Sequence, residues 1–172
     1  MIALLVAAAW ADPVAARLPG DDGREVSVVM RSDTAASAAF WDGGRGLGVD
    51  VSARSAGAFV GLRRTEGPRA GITAGIAVPF ASPTLALTAS PWVGLGNTGA
   101  RAFWTVGLAA PAALRLAPKP VVEVPVLLEA GGGARFGHLG LGAGMSIGAV
   151  FGGAPPGLVG GLWLTGRWNA TP

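Results

Sequence analysis

Between Phe136 and Phe151 the chain alternates strictly, with an apolar residue at every second position and mostly glycine between them. One parity reads Leu139, Leu141, Ala143, Met145, Ile147, Ala149 and Phe151; the other reads His138, Gly140, Gly142, Gly144, Ser146, Gly148 and Val150. Successive strand side chains point to opposite faces, so this is a strand with one apolar and one small-residue face. A helix, at about 3.6 residues per turn, would scatter both sets around its circumference. The same alternation recurs from Arg69 to Phe80, where Ala70, Ile72, Ala74, Ile76, Val78 and Phe80 oppose Gly71, Thr73, Gly75 and Ala77. It recurs again where Leu47, Val49, Val51 and Ala53 oppose Gly46, Gly48, Asp50 and Ser52. Position therefore explains a composition of 29 Gly and 13 Pro in 172 residues that would otherwise suggest low complexity. With 51% hydrophobic and only 13% charged residues, a disordered chain is excluded.

Further strands are expected at Arg24 to Arg31, Ala36 to Trp41, Ser55 to Thr65, Thr84 to Leu95, Gly99 to Ala110, Val121 to Ala130 and Gly157 to Trp168. Turn chemistry separates them at Asp42-Gly43-Gly44, Glu66-Gly67-Pro68, Ser82-Pro83, Gly96-Asn97-Thr98, Gly131 to Gly133 and Gly152 to Gly157. The chain reads as one all-β domain. In a soluble barrel the face opposite the apolar parity meets water and is charged and polar; here it is largely Gly, Ala, Ser and Thr. If the apolar parity instead faces lipid, the small residues line a narrow lumen, and closing the barrel satisfies every backbone hydrogen bond. The expected fold is a closed antiparallel up-and-down transmembrane β-barrel of eight strands, with ten as the alternative count.

The charged residues follow the same rule. Glu123 and Glu129 oppose Val122, Val124, Val126 and Leu128; Arg101 opposes Ala102 and Trp104; Arg167 opposes Leu162, Leu164 and Trp168; Asp50 and Arg54 oppose Val49 and Val51. A lipid-facing charge near the bilayer midplane costs about 2–4 kcal/mol, so these six are expected to form a charge network inside the lumen. Trp41, Phe80, Trp92, Trp104, Phe151 and Trp168 lie near strand ends, where an interfacial aromatic girdle is expected.

At the N-terminus, Met1 to Ala11 is an apolar run ending in the small-x-small triplet Ala9-Trp10-Ala11, which reads as a cleavable signal peptide. Residues 12–23 then form an N-terminal periplasmic segment, and 24–172 the barrel. The run is too short to cross a bilayer as a helix, which takes ~20 apolar residues. No cysteine and one histidine leave no thiolate metal site and no expected metal or other cofactor. The 13 basic residues are dispersed, so no nucleic-acid partner is expected.

On these features, and on a closing strand Gly157 to Trp168 that alternates and ends in an aromatic residue, the chain resembles the small outer-membrane β-barrels of Gram-negative bacteria, the outer membrane protein A and X type. The resemblance spans about Arg24 to Trp168. It implies a place in the bacterial outer membrane, contact with bilayer lipid and lipopolysaccharide, and insertion by the barrel-assembly machinery, which reads such a closing strand. Four residues, Asn169 to Pro172, follow the aromatic here. Lipid A deacylases are an enzymatic version of the architecture, with His and Ser two residues apart on one strand. His138 is followed at that spacing by Gly140, and Ser146 stands about 26 Å along at ~3.3 Å per residue. No catalytic residue is assigned, and His138 is expected at a rim. The expected function is non-enzymatic, structural or adhesive, or that of a narrow porin-like channel. The alternative is a soluble, secreted lipocalin-like barrel around a small apolar ligand.

Overall fold

Alternation puts backbone donors and acceptors along both edges of each segment, and here every edge finds a partner. The computed structural model describes residues 23–32, 34–64, 68–81, 84–99, 101–116, 120–152 and 157–170. The strands are β1 (Arg24–Arg31), β2 (Ala36–Asp42), β3 (Arg45–Val51), β4 (Ser55–Arg63), β5 (Arg69–Pro79), β6 (Ala86–Thr98), β7 (Ala102–Ala109), β8 (Ala112–Arg115), β9 (Val121–Phe136), β10 (Leu139–Phe151) and β11 (Gly157–Asn169). Neighbours pair antiparallel in chain order, and β11 returns to pair with β1 through Val26↔Trp168 and Met30↔Leu164. The sheet is thus closed into a barrel.

Strands β7 and β8 share one place in the wall. Both lie between β6 and β9, and the register runs straight through them: Trp92↔Ala109 and Ala89↔Ala112 on one side, Ala109↔Leu127 and Ala113↔Glu123 on the other. The barrel therefore has ten staves, and the expected eight give way to the alternative count. Proline makes the break. Ala110 N–H donates to the Pro91 carbonyl over 3.0 Å, so residue 110 bonds toward β6 and residue 111 turns toward β9, opposite Pro125. None of Pro91, Pro111 and Pro125 has an N–H. Three ladder bonds are thereby lost on three adjacent staves.

Two segments expected as turns are strand. Gly131 to Gly133 lie inside β9, and Gly96 to Thr98 end β6, while β7 starts at Ala102 rather than Gly99. The turns that do form are short. At the end from which residues 23 and 170 emerge, Gly43-Gly44 and Gly137-His138 are two-residue hairpins, with Gly43 (φ 57) and Gly137 (φ 62) in the left-handed region that favours glycine. The other connections at this termini end are 64–68 and 99–101; the far end carries 32–35, 52–54, 80–85, 116–120 and 152–156. The expected leader Met1 to Ala11 lies outside the described residues, as does all of the 12–23 segment except Gly23.

The apolar parity faces outward. Among the described residues 34 large hydrophobic side chains are exposed, including Val26, Val28 and Met30 on β1, Leu47, Val49 and Val51 on β3, and Leu139, Leu141, Met145 and Ile147 on β10. Charged residues on the outer parity of the strands are Arg24, Asp42 and Arg45, each the terminal residue of its strand at the termini end.

Candidate functional site

The interior is where the glycine parity points, and large aromatic rings lie on it. Trp41 is paired across the ladder with Gly46, Phe59 with Gly48 and Gly75, Trp92 with Gly71, Phe103 with Gly133, and Trp163 with Gly144. A Cβ on Gly46 would lie 2.5 Å from the Trp41 indole, one on Gly71 2.7 Å from that of Trp92, and one on Gly133 or Gly142 2.6 Å from Phe103 Cζ. On Gly144 or Gly131 it would run into the Trp163 indole. The glycines are seats for rings that fold flat against the wall. Bare backbone in a strand is costly by itself, and a ring laid across it restores contact on both staves. Val29, Ala39, Trp41, Phe59 and Trp163 form a buried apolar cluster inside the barrel.

At the termini end the filling is ionic. Glu25 on β1 meets Arg167 on β11, with Oε2 3.0 Å from Nη2, and Arg63 on β4, with Oε2 3.4 Å from both Nη1 and Nη2. These side chains are 1%, 2% and 3% exposed. The Arg63 guanidinium also lies 4.5 Å above the Trp41 ring, and that of Arg167 5.2 Å from the Phe103 ring. One carboxylate thus braces two cations from opposite sides of its own strand. Glu25 Oε1, the indole nitrogens of Trp41, Trp92 and Trp163, Thr165 Oγ1 and Asn169 Oδ1 are buried without a hydrogen-bond partner.

The six expected lumen charges separate. Arg167 lies in the brace just described. Asp50 and Glu129 are buried and inward-facing, each with an interaction inside the structure. Glu123 pairs at 3.4 Å with Arg115, a partly exposed pair at the far end. Arg54 is exposed in the β3–β4 turn, and Arg101 is exposed just before β7; being in turns, neither obeys the strand parity that was extended to it. Glu25 and Arg63 are the residues that reasoning missed. Both lie on the inward parity, opposite Val26 and Val28 and opposite Val60 and Leu62, so the rule applied to Glu123 would have found them.

The aromatics also divide. Trp104, Trp168, Phe80 and Phe151 are half exposed or more on the outer face. Trp41 and Trp92 face inward at 0% and 8% exposure and leave the expected girdle, because their own neighbours Ala39 and Ser90 are inward. On the outer wall Phe136, Leu139, Trp168, Val26, Phe40, Leu47 and Val60 form one laterally paired row near the termini end. His138 stands at this rim, stacked on Trp168 with centroids 6.2 Å apart; its Nδ1 is 2.9 Å from the Asn169 carbonyl oxygen. Comparison of the chain with family models, with curated proteins and with solved structures finds no match.

Proposed function

We propose that this protein is an integral β-barrel of the bacterial outer membrane, held in the bilayer by its outer wall and sealed along its lumen, with a structural or adhesive role. The observation that carries this reading is the direction of the apolar parity. Soluble monomers rarely expose contiguous apolar patches above a few hundred Å2, whereas this wall is apolar on stave after stave and places its outer strand charges only at strand ends. Strands of 13 residues in β10 and β11 exceed the ~9–11 that a tilted membrane-crossing strand needs. The two-residue hairpins at Gly43-Gly44 and Gly137-His138, at one end of the barrel, match the short turns on the periplasmic side of such barrels. A lipocalin-like barrel would require the opposite arrangement, with the apolar residues inside around a ligand.

The seated rings and the Glu25 brace favour a plug over a channel. The test is cell fractionation followed by gel mobility with and without heating. Recovery in the detergent-soluble envelope fraction, with a faster-running unheated form, is expected. Recovery as a soluble protein without detergent would sink the membrane reading. Stable conductance steps in planar bilayers would instead refute the plug.

A further inference from the structure

Where the outer wall of β1 to β4 ends at the termini end, it changes from apolar to charged within one pair of residues. Arg24 follows Val26, Asp42 follows Phe40, Arg45 follows Leu47, and Arg64 follows Leu62, each two positions along the same outer parity. Arg24, Asp42, Arg45 and Leu62 are direct lateral partners, which places Arg64 diagonal to Arg45. Arg24 and Arg45 are two staves apart, about 10 Å at ~4.8 Å per stave, and Arg45 and Arg64 are diagonal neighbours about 7–8 Å apart, so the long side chains of Arg24 and Arg64 flank Arg45 on either side. Arg24 is held by Asp42 at 3.5 Å in a pair that is 69% and 63% exposed. Arg45 and Arg64 are exposed and have no ion pair among the described residues. Directly on the membrane side lie Val26, Phe40, Leu47 and Leu62, all exposed.

We propose that Arg24, Arg45 and Arg64 form a binding site for the phosphate headgroup of an anionic lipid, whose acyl chains lie on Val26, Phe40, Leu47 and Leu62. The inference rests on the membrane reading above. Arginine suits the task because its planar fork can hold two phosphate oxygens at once and keeps its charge at any physiological pH. Asp42 orients Arg24 while leaving the three-to-one excess of cations among these four residues. An uncharged amphiphile would gain the apolar contact but not the clamp, so headgroup charge is what the site selects. With the termini end on the periplasmic side, the ligand is an anionic glycerophospholipid. In the reverse orientation the same chemistry takes the phosphates of lipid A.

The test compares the full chain with an R24Q/R45Q/R64Q variant, each reconstituted in phosphatidylcholine vesicles. The vesicles carry a minor share of spin-labelled phosphatidylglycerol, spin-labelled phosphatidylcholine or spin-labelled lipid A. The share of motionally restricted label reports lipid held at the wall. An arginine near a charged headgroup layer contributes about a fivefold preference, so the parent is expected to favour phosphatidylglycerol over phosphatidylcholine roughly fivefold or more. The preference is expected to shrink at high salt and to fall to near parity in the variant. Selection of lipid A in place of phosphatidylglycerol, lost in the same variant, supports the site with the opposite orientation. Equal restriction of all three lipids by the parent overturns it, as does a preference that survives in a variant with parental heat-modifiable mobility. Failure of the parent to float with any vesicle overturns the membrane reading and the site together, whereas flotation without selectivity overturns the site alone.

Discussion

Replacing Glu25 with alanine tests whether the interior is ordered by its charges. The carboxylate meets two guanidinium groups at 3.0 and 3.4 Å, and none of the three side chains is more than 3% exposed. Its removal leaves Arg63 and Arg167 buried with one negative partner fewer. Breaking a buried pair in this way costs about 3–5 kcal/mol, or a factor of about 150 to 5,000 in the folding equilibrium. Glu123→Ala is the matched control. That glutamate faces Arg115 at 3.4 Å, but the two are 19% and 36% exposed, a setting in which such pairs contribute about 0.2–1 kcal/mol. Urea unfolding of both variants in lipid vesicles, followed by tryptophan fluorescence and gel mobility, reads the difference directly. Glu25→Ala is expected to unfold at a much lower urea concentration than the parent, and Glu123→Ala close to it. Equal midpoints for the two variants would refute the view that the brace holds the termini end. So would a Glu25→Ala barrel as stable as the parent.

Gly144→Ala is expected to destabilise by about 1–3 kcal/mol, the range for overpacking, because the added methyl runs into the Trp163 indole. Gly157→Ala, where a Cβ meets nothing within 4 Å, is expected within about 0.5 kcal/mol of the parent; equal urea midpoints for the two would contradict the seat assignment. Amide exchange of β8 in reconstituted protein is expected to outpace that of β10, since Pro111 and Pro125 leave their shared position without ladder bonds. Pro125→Ala, which restores one donor, is expected to slow it. Exchange of β8 as slow as that of β10, measured by mass spectrometry, would show that the prolines do not weaken the wall.

The alternating segments were legible in the sequence because parity is a local property. The alternation of β10, the outward Ile72 and Ile76 and the inward Glu129 all follow from neighbours one and two positions away. Where local chemistry and parity disagreed, local chemistry misled. Gly131 to Gly133 look like a turn, yet Phe103 and Trp163 need bare backbone beside them, and that requirement comes from strands whose pairing a single chain segment does not reveal. Trp41 and Trp92 were read by their nearness to strand ends, although inward Ala39 and Ser90 already assigned their faces. The Glu25–Arg167 contact lay beyond such reasoning. It depends on the last strand meeting the first, and therefore on a stave count that Pro111 obscured by dividing one stave into β7 and β8.

That contact also bears on the order of assembly. Glu25 belongs to the first strand and Arg167 to the last, so their ion pair forms only once the sheet closes. An open sheet of all ten staves leaves Arg167 paired only across β10, opposite Gly140, and leaves Glu25 without it. A sheet that closed one residue out of register would turn Arg167 to the outer face and away from Glu25. The brace therefore belongs to the closing seam: it forms only where β11 meets β1 in the register that puts Glu25 and Arg167 on the same inward face.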